Sequence, residues 1–225
     1  MPHAPTWTEI SDKTCVLVPV GSYEQHGPHL PLDTDTQIAT YLCSRISLAT
    51  KNIVVAPPIG ISASGEHAGF PGTLSIGNEA LATVVVELVR SCDWATGVVL
   101  VNGHGGNFSA VQRATAQLHA EQRRVASWWP QIKNGDAHAG MTETSMMLAI
   151  NPDAVRMPLA DLGNTKHVSE LAHELMTDGV RAVSPNGILG DARNATAHHG
   201  QVVLDELFAD LAQFIDTSCS SWHDL

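Results

Sequence analysis

Residues 15–37, CVLVPVGSYEQHGPHLPLDTDTQ, decide the fold class, because an apolar run passes directly into a polar loop and then into a helical pattern. The run CVLVPV (15–20) predicts a buried strand, and a helix is predicted from about residue 36 to residue 49. The loop between them concentrates three carboxylates and two imidazoles: Glu24, His26, His29, Asp33 and Asp35. These residues are typical either of a solvated turn or of a reactive site.

The same alternation of strand and helix continues along the chain. Further strands are predicted over 52–61, 97–101 and 125–130, and helices over 78–92, 108–124, 142–150 and 204–219. Asn78 and Asn107 are the predicted helix caps. The predicted buried face of the second helix carries Leu81, Val84, Val85, Leu88 and Val89. Strands that alternate with helices pair in parallel through right-handed crossovers, so one layered α/β/α domain with a mostly parallel sheet is predicted over residues 1–225.

Composition narrows the class of partner. Twelve basic against 23 acidic residues give a net charge of −11, which argues against nucleic acid or an anionic membrane as the main partner. No apolar run approaches the roughly 18 residues that a membrane span needs, and the N-terminus lacks a signal pattern, so a cytoplasmic protein is expected. The four cysteines are far apart without a CxxC pair, which favours core residues over disulfides or a cysteine zinc site.

Polar clusters follow each predicted strand. Glu24 and His26 follow the first strand, His67 the second, His104 the third and His138 the fourth. In parallel α/β sheets, ligands bind beyond the carboxyl ends of the strands. The sequence therefore predicts that these side chains converge on one site.

The first cluster suits a metal ion. Residues two apart on extended chain face the same side, so Glu24 and His26 can face one ion, with Asp35 nine residues later. The alternative makes Asp33 and Asp35 ordinary turn and helix-cap residues. The spacing alone leaves these two interpretations even.

The loop NGHGGN (102–107) has three interpretations. It could cradle a phosphate, although its spacing matches neither GxGxxG nor GxxxxGK[ST]. His104 could be a satisfied loop histidine, or it could point into the site as a metal ligand. The neighbouring clusters favour the ligand.

The segment GDAHAGMTETS (135–145) places His138 on a loop and Glu143 in the first turn of a helix. Glu143 there either complements the helix dipole or supplies a carboxylate to a two-metal site. In SASGEHAGFPGT (62–73), the candidate substrate-binding residues are Glu66, His67 and Phe70, for which structural roles are equally open. The chain has no GxSxG motif and no evident cysteine nucleophile, so covalent catalysis is not favoured.

Together, VPVGSYEQHGPHLPLDTDT, GEHAGFPGT, VNGHGGN and DAHAGMTETS resemble, in order over about residues 15–150, the motifs of the creatininase (creatinine amidohydrolase) family. The later segment GILGDARNATAHHG (187–200) also resembles that family. The resemblance implies a homo-oligomer, a hexamer or larger, with two divalent ions (zinc, iron(II) or manganese) that cleave a C–N amide bond. Within the family, the sequence SGEHAGFPGTLSIG is most similar to mycofactocin-associated peptidases, which trim a modified precursor peptide.

Carried over by motif, Glu24, Asp35 and His104 would hold one metal and His26 with Asp35 the second. Creatininase proper has a glutamate two residues after the third-motif histidine, where this chain has Gly106. Two consequences of this departure are open: the second metal is held more weakly, or Glu143 supplies the missing carboxylate. His138 or Glu143 would move the proton. The departure argues against creatinine itself as the substrate. The alternatives are another small cyclic amide or a formamide, or a non-catalytic metal-binding subunit.

Overall fold

Four short parallel strands form the centre of the fold in the computed structural model, which describes residues 5–133 and 135–223. The strands are β1 Cys15–Val20, β2 Ile53–Val55, β3 Gly97–Asn102 and β4 Val125–Trp128. Their order across the sheet is β2-β1-β3-β4, and β1 pairs with β3 along all six of its residues. The predicted parallel sheet is confirmed. The outermost residues of the predicted 1–225 domain (1–4, 224 and 225) lie outside the described residues.

Seven α-helices are described: α1 Thr34–Ala49, α2 Gly77–Arg90, α3 Phe108–Ala120, α4 Met141–Ile150, α5 Val168–Thr177, α6 Val180–Val183 and α7 Ala197–His223. Side chains of α1, α4 and α7 pack on one face of the sheet, and those of α2 and α3 pack on the other. The result is the expected α/β/α layering.

Alternation along the strands explains the two cores. In β1, Val16, Val18 and Val20 enter the core beneath α2 and α3, whereas Cys15 and Leu17 enter the opposite one. Every residue of β1 and β3 is buried, which is why both strands appear in the sequence as continuous apolar runs.

Two glycines let the closing helix α7 approach closely. A β-carbon at Gly97 would lie 2.4 Å from the Trp222 ring, and one at Gly200 would lie 1.8 Å from the Ser145 carbonyl oxygen. Gly97 thus admits α7 against β3, and Gly200 admits it against α4.

Several predicted boundaries were wrong. β2 ends at Val55 rather than residue 61, because Pro57 and Pro58 have no N–H to donate to a sheet. Asn78 is not a cap, since α2 begins at Gly77. The buried stripe of α2 runs through Leu81, Val85 and Val89, leaving Val84 41% exposed and Leu88 half-buried. α7 begins seven residues earlier than predicted, at residue 197 rather than 204.

The loops that follow the four strands all leave the sheet at the same edge. That edge therefore collects the polar clusters, as predicted. In the described part of the chain, no helix is both long enough and apolar enough to span a membrane.

Candidate metal centre

Glu24 lies at the middle of the site and is fully buried. Both of its carboxylate oxygens are buried without a hydrogen-bond partner among the described residues. Burying a carboxylate whose oxygens accept no hydrogen bond is costly, because the hydrogen bonds from water are lost. Glu24 is therefore suited to a bound cation.

The first ligand group consists of Glu24, Asp35 and His104, whose ligating atoms lie within 4.8 Å of one another. His104 Nε2 is 3.1 Å from Glu24 Oε2, and His104 Nδ1 is 3.2 Å from Asp35 Oδ2. His104 Nε2 also donates to the Ala63 carbonyl oxygen at 3.1 Å. That bond orients the ring and leaves Nδ1 as the nitrogen available to an ion.

The second ligand group consists of His26, Asp35 and Glu143, also within 4.8 Å of one another. His26 Nε2 lies 3.1 Å from Asp35 Oδ1 and 3.9 Å from Glu143 Oε2. His26 Nδ1 donates to the backbone carbonyl oxygen of Glu24 at 3.0 Å, so Nε2 is the nitrogen available to an ion. The Ala139 N–H donates to Glu143 Oε2 at 2.6 Å and holds that carboxylate in place.

Asp35 is the residue common to both groups. It lies in the first turn of α1, directly after Thr34, and is 2% exposed. The Ser22 hydroxyl donates to Asp35 Oδ2 at 2.9 Å, which fixes the carboxylate between the two histidines. Of the two interpretations that the sequence left even, the geometry supports the site over the cap.

Gly106 has a specific structural consequence. A β-carbon there would lie 2.2 Å from Glu66 Oε1 and 2.4 Å from His104 Nε2. The missing side chain thus makes room for the Glu66 carboxylate, which approaches His104 Nε2 to 3.3 Å. A carboxylate from the second loop therefore stands next to position 106, where the creatininase motif carries its own.

The electrostatics of the metal-free site follow from burial and from these pairs. Burial disfavours charge on His26, but the Asp35 carboxylate outweighs it and raises the pKa of His26 to about 10. Burial likewise opposes charge on His104, yet Glu24 and Asp35 raise its pKa well above the usual value. For Asp35, burial is outweighed by His26 and His104, and its pKa lies well below the usual value.

Two carboxyl groups instead have raised pKa values. Burial raises the pKa of Glu24 to about 7, although the charge on His104 opposes the shift. Burial also raises the pKa of Glu143 to about 7, against the charge on His26. Protons on two imidazoles therefore balance the buried carboxylates, and a divalent cation can replace them.

His67 and His138 border the two ligand groups. His67 Nε2 is 3.2 Å from Glu24 Oε1, and His138 Nδ1 is 4.0 Å from the same oxygen. Burial and the positive charge of His104 lower the pKa of His67 to about 3. Burial, with the charge of His26, lowers the pKa of His138 well below its usual value. Both rings are therefore neutral beside the site.

An open groove of about 740 Å³ leads to the centre. Its lining includes Glu66, His67 and His104, and also residues of α5 and the segment that follows it, among them Val168 and Met176. A smaller cavity of about 260 Å³ reaches Asp35 and Glu143 from the side of α1 and α4.

Three candidates from the sequence lie apart from the centre. The Phe70 ring packs beneath the Arg181 guanidinium, with 5.8 Å between the ring centroid and Arg181 Cζ. Phe70 does not line the groove. His29 is buried but turns away, with Nε2 2.8 Å from the Thr144 hydroxyl. Asp33 accepts a hydrogen bond from Gln37 Nε2 at 2.8 Å, which is the ordinary turn role.

Sequence reasoning missed Gln25, which lies between two ligand-group residues. Its side-chain nitrogen is 2.9 Å from His67 Nδ1 and 3.1 Å from His138 Nε2. The available signal was its position between Glu24 and His26 in a loop that the predicted convergence should bury.

The donor set fits a divalent transition metal. Imidazole nitrogens and carboxylate oxygens together suit zinc, manganese and iron(II). Each ligand-group histidine also has its other ring nitrogen bonded to a backbone carbonyl, as metal-binding histidines commonly do.

The chain is similar to proteins of one known family. A family model described as creatininase, creatinine amidohydrolase, matches residues 3–215. A mycofactocin precursor peptide peptidase of Mycolicibacterium smegmatis is 50% identical over 199 residues, which cover 85% of this chain and 80% of that protein. A creatinine amidohydrolase of Pseudomonas putida is 27% identical over 248 residues, 93% of this chain and 94% of that protein.

Solved structures show the same fold. A crystal structure of creatinine amidohydrolase superimposes with a TM-score of 0.77 at 24% identity, covering 95% of each chain. Related creatininase structures include a manganese form and a zinc–zinc form. The predicted layered α/β/α fold is confirmed by this similarity.

Proposed function

This chain belongs to the creatininase family, and from that premise we propose that it cleaves an amide bond of the mycofactocin precursor peptide. It is a metal-dependent hydrolase of C–N amide bonds, as the family is. The product we propose is the modified C-terminal piece derived from Val-Tyr. Relatives named as peptidases of that precursor, at 44–50% identity, support the substrate.

The observation that carries the proposal is the Glu24 carboxylate, buried without hydrogen-bond partners between two histidines whose other nitrogens are tied to backbone carbonyls. We propose that Glu24, Asp35 and His104 hold one divalent ion. His26, Asp35 and Glu143 would hold a second, so that Asp35 would contribute to both. Such ions lower the pKa of a water toward about 7 and polarise an amide carbonyl.

The remaining residues position the substrate and move the proton. His138 Nδ1 lies 4.0 Å from Glu24 Oε1, beside the residues that would hold the ions, and we assign it to accept a proton from the attacking water and return it to the leaving nitrogen. Glu143 is better suited to binding metal than to carrying protons, because the Ala139 N–H and the second ligand group fix its carboxylate. Glu66 and His67 line the groove where the peptide chain would lie.

The groove is large enough to admit part of a peptide chain. Its volume of about 740 Å³ is in the upper part of the roughly 300–1,000 Å³ typical of small-molecule sites. By family resemblance we also propose a homo-oligomer of six or more chains, which light scattering during size-exclusion chromatography would measure.

Mass spectrometry of reaction products tests the substrate. The protein loaded separately with zinc, manganese and iron(II) is incubated with maturase-treated precursor peptide and, in parallel, with creatinine. We expect the C-terminal piece from the peptide, little or no product from creatinine, and no cleavage by an Asp35→Asn variant. Turnover of creatinine with an intact peptide would overturn the proposal in favour of a small-amide hydrolase.

A further inference from the structure

The Gln25 side chain is buried between two histidines of the groove. Its Nε2 lies 2.9 Å from His67 Nδ1 and 3.1 Å from the Gly187 carbonyl oxygen, and its Oε1 accepts from the Gly27 N–H at 2.9 Å. Gly187 has a φ of +79°, and a β-carbon there would lie 1.8 Å from Gln25 Oε1. The fold thus leaves a fitted space for this amide.

The neighbours fix which end of the amide is which. The Gly27 N–H can only donate, so the atom facing it must be the oxygen. The Gly187 carbonyl can only accept, so the atom facing it must be the nitrogen. A flipped amide would lose both bonds.

The amide nitrogen has two hydrogens, and both have acceptors. One goes to the Gly187 carbonyl and the other to His67 Nδ1. His67 Nδ1 must therefore carry a lone pair, which places the hydrogen of the neutral ring on Nε2. That nitrogen faces the centre, 3.2 Å from Glu24 Oε1.

His138 is set by the main chain of the same residue. Its Nε2 lies 2.8 Å from the Gln25 backbone carbonyl oxygen, which can only accept, so Nε2 carries a hydrogen. The 3.1 Å approach of Gln25 Nε2 to this nitrogen is then a contact between two donors. The lone pair of His138 is on Nδ1, the nitrogen that faces Glu24 Oε1 at 4.0 Å.

We propose that Gln25 is a positioning residue that makes His67 present a hydrogen-bond donor, and His138 a hydrogen-bond acceptor, to the reacting groups. Its side chain makes His67 present an N–H to the groove, and its backbone carbonyl makes His138 present a lone pair. Resting on the proposed hydrolase function, this assigns His67 to donate a hydrogen bond to the substrate carbonyl. It assigns His138 Nδ1 to accept the proton of the attacking water.

Nitrogen-15 NMR of the histidine side chains tests the assignment directly in the zinc-loaded protein without substrate. We expect both His67 and His138 to be Nε2–H tautomers. A hydrogen on His67 Nδ1 or on His138 Nδ1 would overturn the proposal. Because no substrate is present, this result is independent of whether the peptide is cleaved.

The variant Gln25→Met separates the two roles. It keeps the length of the side chain but removes the donor to His67, so we expect His67 to become a mixture of tautomers. His138 should keep Nε2–H, because the backbone carbonyl remains. With metal content unchanged, kcat should fall about tenfold to a hundredfold at nearly constant KM. A Gln37→Met variant, whose side chain bonds Asp33 and Asn151 instead, should leave both tautomers and kcat unchanged.

Two results with Gln25→Met would contradict the proposal. One is an unchanged His67 tautomer, which would mean that the amide does not set it. The other is a His67 mixture with unaltered kcat, which would mean that its orientation does not matter to the reaction. If the variant does not fold, the wild-type tautomers still decide the matter.

Discussion

The two ligand groups share Asp35 but differ in how the fold holds their other members. Glu24 and His104 follow β1 and β3, which pair along six residues in the middle of the sheet. His26 is equally buried, but Glu143 belongs to α4, which follows the edge strand β4, and its side chain is 19% exposed. The first group is therefore fixed by strand pairing, whereas the second depends on where one helix lies. We expect the first to bind its ion more tightly.

Asp35→Asn should have the largest effect, because it weakens both groups at once. We expect metal content to fall from about two ions per chain to near zero and kcat/KM to fall by about 10³-fold or more. Elemental analysis and peptide cleavage measure both. Asp33→Asn, two residues away, should leave metal and activity intact. An Asp35→Asn protein that keeps one tightly bound ion would show that Asp35 does not serve both groups.

The variant Glu143→Gln should impair the second ligand group and leave the first intact. We expect it to lose only the ion of the second group, leaving about one per chain, because Glu24, Asp35 and His104 are untouched. His104→Ala should lose the ion of the first group. If dialysis against a weak chelator removes metal equally fast from both variants, the proposed difference in affinity between the two groups is wrong.

The pH dependence of metal binding should be similar for the two groups. In the metal-free protein His26 has a pKa of about 10 and His104 one well above the usual value, so each ion displaces one proton below those values. Affinity should rise about tenfold per pH unit between roughly pH 7 and 9. Below pH 7 the rise should be steeper, because Glu24 and Glu143, with pKa values of about 7, also hold protons. Zinc titration against a competing chelator at several pH values measures the slope, and a flat profile would contradict the assignment of these ligands.

Glu66→Gln should have the smallest effect. The Glu66 side chain is 30% exposed, and it lies 3.3 Å from His104 Nε2 and within 4.8 Å of the Glu24 carboxylate. We expect unchanged metal content and a loss of kcat/KM of about tenfold or less. Loss of an ion in this variant would instead place Glu66 among the ligands and make it the replacement for a glutamate at position 106.

The sequence predicted the fold and most of the centre for one physical reason. Buried parallel strands appear as apolar runs, and whatever follows them is brought to one edge of the sheet. That is why Glu24, His26, His104 and His138 could be placed together before any coordinates. Strand length was less predictable, as β2 showed.

What the sequence did not reveal depends on contacts between distant loops. The pairing of Gln25 with Gly187 joins residues 162 positions apart. The space that Gly106 leaves for Glu66 is a property of two loops together, and Phe70 took a place beneath Arg181 that no local pattern indicates. Residue type suggested the chemistry of each loop, but only packing decided which side chains reached the centre.

The ion-binding residues and part of the groove wall come from different stretches of the chain, which has an evolutionary consequence. Among the described residues, the ligand groups and the bordering histidines all lie between Glu24 and Glu143, whereas α5 and the segment after it supply a separate part of the groove wall. Substitutions in that wall can change which molecule is admitted without disturbing the ion-binding residues. Substrate preference can therefore diverge in one part of the gene while the hydrolytic chemistry is inherited unchanged in the other.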